Sequence, residues 1–449
     1  MNHAIDAAAN QAIFGLNPMW LSAIILIIVY IILITEKINR AVIALIGASL
    51  MIYCGLLNQQ QAIGSIDFNT IFLLTGMMVL VNITAKTGVF QYVAIKSAKM
   101  VRANPVGILA MICIITAVFS ALLDNVTTVL LVTPVTLLIT EQLGVRAFPY
   151  LFSTIIAANI GGTATLIGDP PNILIGSKTH LTFNDFLVHM APIAIIIMIA
   201  VLALFWLIFR SRLQSSLKAR ARIMRFNERD AITDSRLLVK CGIVFGLVLL
   251  GFFVGHSLHL EPGTIALSGA ALLMLVAYGP QKAEQQSESV HHAFAEVEWI
   301  TIFFFMGLFM IVGAVEHSGL LKMLGEHLTE ATRGDIQTMS MAVLWVSAIL
   351  SSVLDNIPFV ATMIPLLDQA SVNLGVGQET FMPVWWALAL GACLGGNGTL
   401  IGASANLTVA AFAEKAKQPI GMVQFAKYAF PLMLVTVLFS HIYLWVRYF

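Results

Sequence analysis

Two aspartates occupy matching positions in long apolar segments of this 449-residue chain. Asp124 and Asp355 each follow a serine by four residues, directly precede an asparagine, and lie ten residues before a proline. A carboxylate placed at membrane depth costs about 2.5–3.5 kcal/mol on insertion scales, so such residues usually face a pathway and often relay protons. The alternative is that each aspartate caps the helix starting at Val126 or Ile357, which would not exclude a proton-relay role.

A second pair of polar interruptions follows the aspartates. Gly161-Gly162-Thr163-Ala164-Thr165 in the first half corresponds to Gly395-Gly396-Asn397-Gly398-Thr399 in the second. A helix broken at such a segment frees carbonyls at the end of its first part, and N–H groups with a partial positive charge at the start of its second part. Duplicated apolar segments interrupted in this way indicate the midplane binding site of a transporter.

The four interruptions together predict a small polar chamber with pseudo-two-fold symmetry. Its candidate substrate-binding residues are Asn125, Thr127, Gly161, Gly162, Thr163, Thr165, Asn356, Gly395, Gly396, Asn397 and Thr399. Its candidate proton-coupling residues are Asp124, Asp355 and Asp169. The alternative is that the glycines allow close helix packing and the hydroxyl groups cap chain ends, which does not explain four polar interruptions at matched positions.

Asp169 breaks the symmetry, because Ala403 occupies its position in the second half. It is either a second ionisable coupling site or a residue near the surface end of its half-helix. We expect no lysine or arginine near the chamber, since Lys86 and Arg210 lie at segment ends. A multiply charged anion would then face up to three carboxylates. This disfavours dicarboxylates and favours a cation or a small neutral polyol exchanged against protons.

The composition is that of a membrane protein. Apolar residues make up 59% of the chain and charged residues 10%, which the surface of a soluble domain could not tolerate. The net charge of +1 argues against a nucleic-acid partner. The four cysteines are isolated and the histidines lie mostly in loops, so we expect no disulfide framework, metal site or cofactor. No HExxH motif or base–nucleophile set suggests an enzyme, and no cleavable signal is apparent before the first apolar run at 20–35.

Two apolar runs, residues 107–139 and 340–370, are too long for one crossing and contain the paired aspartates. We interpret each as a re-entrant hairpin. The unpaired backbone at a hairpin tip must be packed in protein or face a wet cavity. The alternative is two ordinary crossings joined by a short turn at the far surface.

The hairpins predict an all-α polytopic membrane protein, built as an inverted repeat of five transmembrane helices plus one re-entrant hairpin per half, with helices broken at the midplane. The repeats occupy residues 1–209 and 237–449, and a basic cytoplasmic linker at 210–236 joins them. Because five crossings is an odd number, the second half is inserted upside down relative to the first. This topology places 20 of the 24 Lys and Arg residues in the cytoplasm. The expected location is the plasma (inner) membrane, with both termini external.

The repeat extends beyond these motifs. Thr70-Ile71-Phe72 matches Thr301-Ile302-Phe303 at the offset of 231 that also relates the two aspartates, and Gly76 matches Gly307. Pro149 corresponds to Pro383 at an offset of 234. Because the order and offset are nearly constant, duplication explains these matches better than chance.

At these motifs the chain resembles the ion transporter superfamily over nearly its whole length. Three segments carry the resemblance: Asp124-Asn125-Val126-Thr127-Thr128, the stretch Gly161–Asn172, and Asp355-Asn356-Ile357-Pro358-Phe359. They are similar to the branch that holds ArsB-type arsenite permeases and the pigment-cell P protein. The resemblance implies a scaffold with a moving transport region, and often a homodimer. Association with a cytoplasmic ATPase partner is a further possibility that the sequence does not decide.

By this resemblance we expect proton-coupled efflux of arsenite or antimonite by alternating access. The alternative is sodium/proton antiport, and a sodium-coupled dicarboxylate or other anion transporter is a third hypothesis. The partners are then a small inorganic substrate, protons and membrane lipids. Arsenite is an uncharged trihydroxide, which amide and hydroxyl groups suit without a compensating cation. Cys393 could add a soft contact, although a lone buried cysteine is usually a small hydrophobe.

Overall fold

The computed structural model describes residues 16–35 and 37–449, so the sequence before Leu16, including most of the leader considered above, lies outside the described residues. The described first half contains α1 Pro18–Thr35, α2 Arg40–Tyr53, α3 Gln59–Gly64, α4 Phe68–Ala85, α5 Val89–Met100, α6 Pro105–Leu122, α7 Asn125–Leu143, α8 Phe148–Thr163, α9 Pro170–Thr179, α10 Phe183–His189 and α11 Ala191–Phe209. Helix α12, Leu217–Met224, lies in the connection to the second half.

The second half contains α13 Ser235–Val254, α14 Pro262–Tyr278, α15 Ala283–Ala295, α16 Trp299–His317, α17 Leu320–Ala331, α18 Ile336–Ser351, α19 Asn356–Leu374, α20 Gln378–Gly395, α21 Ser404–Lys415 and α22 Met422–Tyr448. Over the described residues the protein has no β-strand. Nine of its described helices are long and apolar enough to cross a membrane. The predicted all-α, multi-pass architecture is confirmed.

The inverted repeat is visible in how the helices pack. Helix α4 packs on α14, and its repeat counterpart α16 packs on α2. A Cβ atom added at Gly76 would lie 2.5 Å from the backbone of Ala266, and one at Gly307 would lie 2.7 Å from the backbone of Ala44. Glycine at these two positions therefore lets the helix backbones approach closely, in the same way in both halves. Together with α1 and α13, these four helices form what we call the outer frame.

The two hairpins and the two broken helices form what we call the inner bundle, residues 105–179 and 336–415. Hairpin 1 is α6 and α7, and hairpin 2 is α18 and α19. The broken helices are α8 with α9, interrupted over residues 164–169, and α20 with α21, interrupted over 396–403. Pro134, inside α7, and Pro365, inside α19, occupy matched positions.

Helix starts in the bundle follow local chemistry. Asp124 accepts a hydrogen bond from the backbone N–H of Thr127 at 2.7 Å and so caps α7. Asp355 accepts one from the N–H of Ile357 at 3.1 Å and caps α19. Gly144 and Gly375, both with left-handed backbone, end the two hairpins. The same residue types at the same positions therefore start and stop both hairpins.

The connection between the halves packs on the first half. Lys99 forms an ion pair with Glu228 at 2.5 Å, and the N–H of Thr233 donates to the carbonyl of Thr87 at 3.0 Å. The hydrogen bond from Lys99 holds the pKa of Glu228 below its ordinary value. We call the side of the molecule that carries residues 210–234 the linker face. Helix α12 packs on α7 of hairpin 1, so hairpin 1 enters from this face. The inverted repeat then predicts that hairpin 2 enters from the opposite face.

This arrangement predicts the sidedness of four exposed positions. Cysteines replacing Arg102 and Arg146 should react with an impermeant thiol reagent from the same side as one replacing Arg225 in the linker. Cysteines replacing Arg333 and Asn373 should react only from the other side. A Cys54→Ser background removes the half-buried native thiol. Labelling of the two ends of either hairpin from different sides would contradict the re-entrant arrangement.

Candidate functional site

Asp169 lies where the two hairpin tips meet. It begins α9 and its side chain is fully buried. The amide nitrogen of Asn125, at the tip of hairpin 1, donates to its Oδ1 at 3.2 Å. The amide nitrogen of Asn356, at the tip of hairpin 2, donates to Oδ1 and Oδ2 at 3.3 and 3.4 Å. One carboxylate therefore joins two hairpins that enter from opposite faces. The sequence left its depth open, and the structure places it in the interior.

Asn159, which sequence reasoning missed, connects the two broken helices. Its side-chain oxygen accepts from Asn125 at 3.2 Å. Its nitrogen donates to the side-chain oxygens of Asn397 and Asn406, both at 3.0 Å. A signal for it existed, because Asn159 matches Cys393 at the offset of 234 that relates the broken helices. A polar residue and a thiol at matched positions in otherwise apolar helices could have been noticed.

Two buried polar atoms of this network have no hydrogen-bond partner among the described residues. They are Oδ1 of Asn125, an acceptor, and Nδ2 of Asn397, a donor. Each unpaired buried group costs about 1–3 kcal/mol, so most such groups in folded proteins have a partner. Both residues are among the predicted substrate-binding residues. The site thus offers one acceptor and one donor to a ligand that can both give and take a hydrogen bond.

Several carbonyls at the helix breaks accept hydrogen bonds from protein amides, which corrects the expectation that these carbonyls would be free for substrate. The amide nitrogen of Asn172 lies 2.9–3.3 Å from the carbonyl oxygens of Gly162, Thr163 and Thr165. Asn406 does the same in the second half, donating at 2.8–2.9 Å. These side chains therefore replace helix hydrogen bonds that are missing at the breaks.

The predicted hydroxyl ligands donate elsewhere. The hydroxyl of Thr163 donates to the carbonyl of Asn159 at 2.7 Å, one turn earlier in its own helix. The hydroxyls of Thr165 and Thr399 donate to hairpin carbonyls at 2.5 Å, and that of Thr127 donates to Asp124. Each hydroxyl keeps only its acceptor lone pairs for a ligand.

The four predicted glycines lie at close backbone contacts. A Cβ atom at Gly161 would lie 2.2 Å from the carbonyl oxygen of Ala117, and one at Gly395 would lie 2.6 Å from that of Ala348. Gly162 and Gly396 pack in the same way against the far side of their own breaks. These positions agree with the alternative that the glycines allow close packing, because a side chain would not fit at any of them.

Arg40 corrects the expectation that no cationic residue approaches the chamber. It begins α2 in the outer frame, and its guanidinium lies 3.9 Å from the Asp355 carboxylate and 2.5 Å from the Ser404 hydroxyl. These residues line a cavity of about 300 Å³ between the frame and the tip of hairpin 2. A cationic side chain therefore does approach the chamber, and the prediction that a lack of cations disfavours anionic substrates is wrong.

Cys393 lies in the centre of the site. Its fully buried thiol donates to the side-chain oxygen of Asn172 at 3.4 Å, three residues after Asp169 in the chain. Over the described residues, no group of three or more His, Cys, Asp or Glu side chains is arranged to hold a metal ion. A thiol beside one carboxylate and several amides is thus the chemistry that the site presents.

An inverted repeat whose hairpins meet at a buried carboxylate defines the class of the molecule, a polytopic membrane transporter. The chain belongs to the family described as citrate transporter, whose model matches residues 30–391. This family and the relatives below confirm the resemblance to the ion transporter superfamily.

Relatives are similar over nearly the whole chain. An uncharacterised transporter of Mycobacterium tuberculosis is 41% identical over 429 residues, covering 95% of this chain and 97% of that protein. The human P protein is 33% identical over 497 residues, covering 93% of this chain but 58% of its own length. The crystal structure of the YdaH transporter of Alcanivorax borkumensis superposes with a TM-score of 0.59 at 13% identity, covering 96% of this chain and 98% of that one. That structure supports the fold alone.

The contribution of the amide–carbonyl hydrogen bonds at the helix breaks to stability can be tested by substitution. Asn172→Ala leaves buried carbonyls without a donor, at a cost of about 1–3 kcal/mol for an unsatisfied group. We expect a clearly lower midpoint of thermal unfolding for the purified protein. The control is Asn184→Ala, which removes an exposed amide that donates to one carbonyl at 3.1 Å and should change the midpoint little. Equal shifts would show that the break does not depend on Asn172.

Proposed function

We propose that the protein is a proton-coupled secondary transporter that works by alternating access and exports arsenite or antimonite. Proton coupling is supported by one observation: the side-chain amides at both hairpin tips, Asn125 and Asn356, donate hydrogen bonds to Asp169. An ionised carboxylate only accepts hydrogen bonds, whereas a protonated one also carries a donor and has less acceptor capacity. Protonation of Asp169 therefore weakens its hold on Asn125 and Asn356, which links proton binding to hairpin position.

The chemistry of the chamber supports the proposed substrate. Oδ1 of Asn125 and Nδ2 of Asn397 can accept from and donate to the hydroxyls of an uncharged trihydroxide. The Cys393 thiol, which donates to Asn172 at the first helix break, is a soft ligand of the kind that trivalent metalloids bind. No cationic side chain is hydrogen-bonded to Asp169 among the described residues, so a neutral substrate meets no unmatched positive charge there.

Two other functions have specific support. A carboxylate beside an unpaired amide oxygen is also a ligand set for a sodium ion, which favours a sodium/proton antiporter. Arg40 and the family's description favour an organic anion such as citrate. We rank the anion lower, because Arg40 is shared by two carboxylates, Asp355 at 3.9 Å and Glu298 at 4.0 Å. An anion would have to compete with both.

Orientation belongs to the same proposal. The basic linker face would lie in the cytoplasm and both termini outside, because positive residues are retained on the cytoplasmic side of the plasma membrane. Export then requires substrate to enter from the linker face.

Transport by everted membrane vesicles tests the substrate. With an acidic interior, vesicles containing the protein should accumulate arsenite and antimonite, and collapse of the proton gradient should abolish accumulation. Vesicles from the same host without the protein are the control, and sodium and citrate are tested alongside. Sodium movement with no metalloid uptake would replace the proposal by cation antiport, and citrate uptake would replace it by anion transport.

Substitution of the three aspartates tests the coupling. Asp169→Asn keeps the size of the side chain but removes titration, so proton-driven accumulation should fall to the level of vesicles lacking the protein. Asp124→Asn is the comparison, because asparagine caps a helix as well as aspartate does, so the variant should fold and a loss of accumulation would mark Asp124 as a second coupling group. Asp355→Asn tests the other hairpin tip. Normal pumping by Asp169→Asn across the pH range would show that coupling lies elsewhere.

A further inference from the structure

Arg40 connects the outer frame to the inner bundle through two hydroxyl groups. One guanidinium nitrogen donates to the Ser404 hydroxyl at 2.5 Å, and that hydroxyl donates to Asp355 at 2.8 Å. The other nitrogen donates to the Thr301 hydroxyl at 2.7 Å, and that hydroxyl donates to Glu298 at 2.7 Å. Each branch ends on a carboxylate. Ser404 and Asp355 belong to the inner bundle. Arg40 and Thr301 belong to frame helices, and Glu298 directly precedes one.

The arrangement suits arginine in particular. A guanidinium presents its donors in a rigid planar fork, so one side chain can bind two hydroxyls at fixed angles. The side chains of Arg40 and Asp355 are only 26% and 24% exposed, which reduces screening by solvent. The guanidinium also lies 5.6 Å from the ring centre of Phe304, within the range of a cation–π contact.

The opposite face lacks this connection. There the repeat keeps the acid–threonine pair, since the hydroxyl of Thr70 donates to Asp67 at 2.6 Å as Thr301 does to Glu298. However, Pro262 occupies the position of Arg40, and Pro170 occupies that of Ser404. Proline has no side-chain donor, so no equivalent bridge can form. The duplicated fold therefore carries the arginine bridge on the linker face only. On the opposite face the frame reaches the bundle through a neutral hydrogen bond, from the Asn69 amide to the Ser177 hydroxyl at 3.2 Å.

We propose that Arg40 is a one-sided clamp that holds the tip of hairpin 2 and the start of α21 against the outer frame. Alternating access requires the inner bundle to move relative to the frame, so the clamp must open in each cycle. Arg40 is thus a positioning residue, and it stabilises one end state of the carrier over the other. This inference rests on the proposed movement, but not on the identity of the substrate.

A second contact between the frame and hairpin 2 must be included in the test. The hydroxyl of Tyr30, in frame helix α1, donates to the carbonyl of Pro358 in hairpin 2 at 2.7 Å. It could hold the tip after the clamp is lost. Each clamp variant is therefore examined in the native background and in Tyr30→Phe.

The experiment measures the distance between frame and bundle in the full-length protein in lipid. Spin labels are attached to cysteines replacing Ile300, at the start of α16, and Lys415, at the end of α21, both of which are exposed. The unmodified clamp should give one dominant distance. Arg40→Gln and Ser404→Ala should add a second population, and Arg40→Lys should restore the first only in part because an ammonium cannot reproduce the fork.

The repeat supplies the matched control. Thr301→Val breaks one branch of the clamp and should shift the distance distribution, whereas Thr70→Val breaks the corresponding pair without an arginine and should leave it unchanged. Distributions of the Arg40 and Ser404 variants that equal the parent's in both backgrounds would overturn the proposal. Because the measurement needs no substrate, a shift without metalloid transport would support the clamp while refuting the proposed substrate.

Discussion

The structure depends on burying one carboxylate in the middle of a membrane protein where no cationic side chain of the described residues is bonded to it. Burial of Asp169 away from water is costly unless donors surround it, and the amides of Asn125 and Asn356 supply them. These amides belong to hairpins that enter from opposite faces. The need to solvate one side chain therefore fixes where both hairpins end and how closely the two repeats approach each other.

The helix breaks pose the same problem for the backbone. Carbonyls released at a break in the membrane interior have no water to bind, and each half provides one asparagine, Asn172 or Asn406, to replace the lost partners. Asn159 then joins the two broken helices. The centre is therefore a network of amides, which are uncharged and carry both donors and acceptors, rather than a set of ion pairs.

Much of this could be predicted from the sequence, since the repeated aspartates, glycine pairs and offsets indicated the hairpins, the breaks and the inverted repeat. The site was predicted less completely. Asn159 lies in an apolar helix without a local motif, and its importance comes from partners more than two hundred residues away. Arg40 lies at a helix start and reaches hairpin 2 only through the tertiary packing of the frame. The hydroxyls of Thr163, Thr165 and Thr399 were predicted to face the chamber, but the backbone nearby offered them closer acceptors.

The asymmetry at Asp169 has an electrical consequence. Its partner position holds Ala403, so protonation of this one side chain changes the charge of the inner bundle by one. In a carrier that moves this bundle, the ionised and protonated forms differ in the work done against the membrane potential. One elementary charge crossing the whole field is worth about 2.3 kcal/mol per 100 mV. Voltage as well as pH would therefore determine to which side of the membrane the binding site of the empty carrier is open.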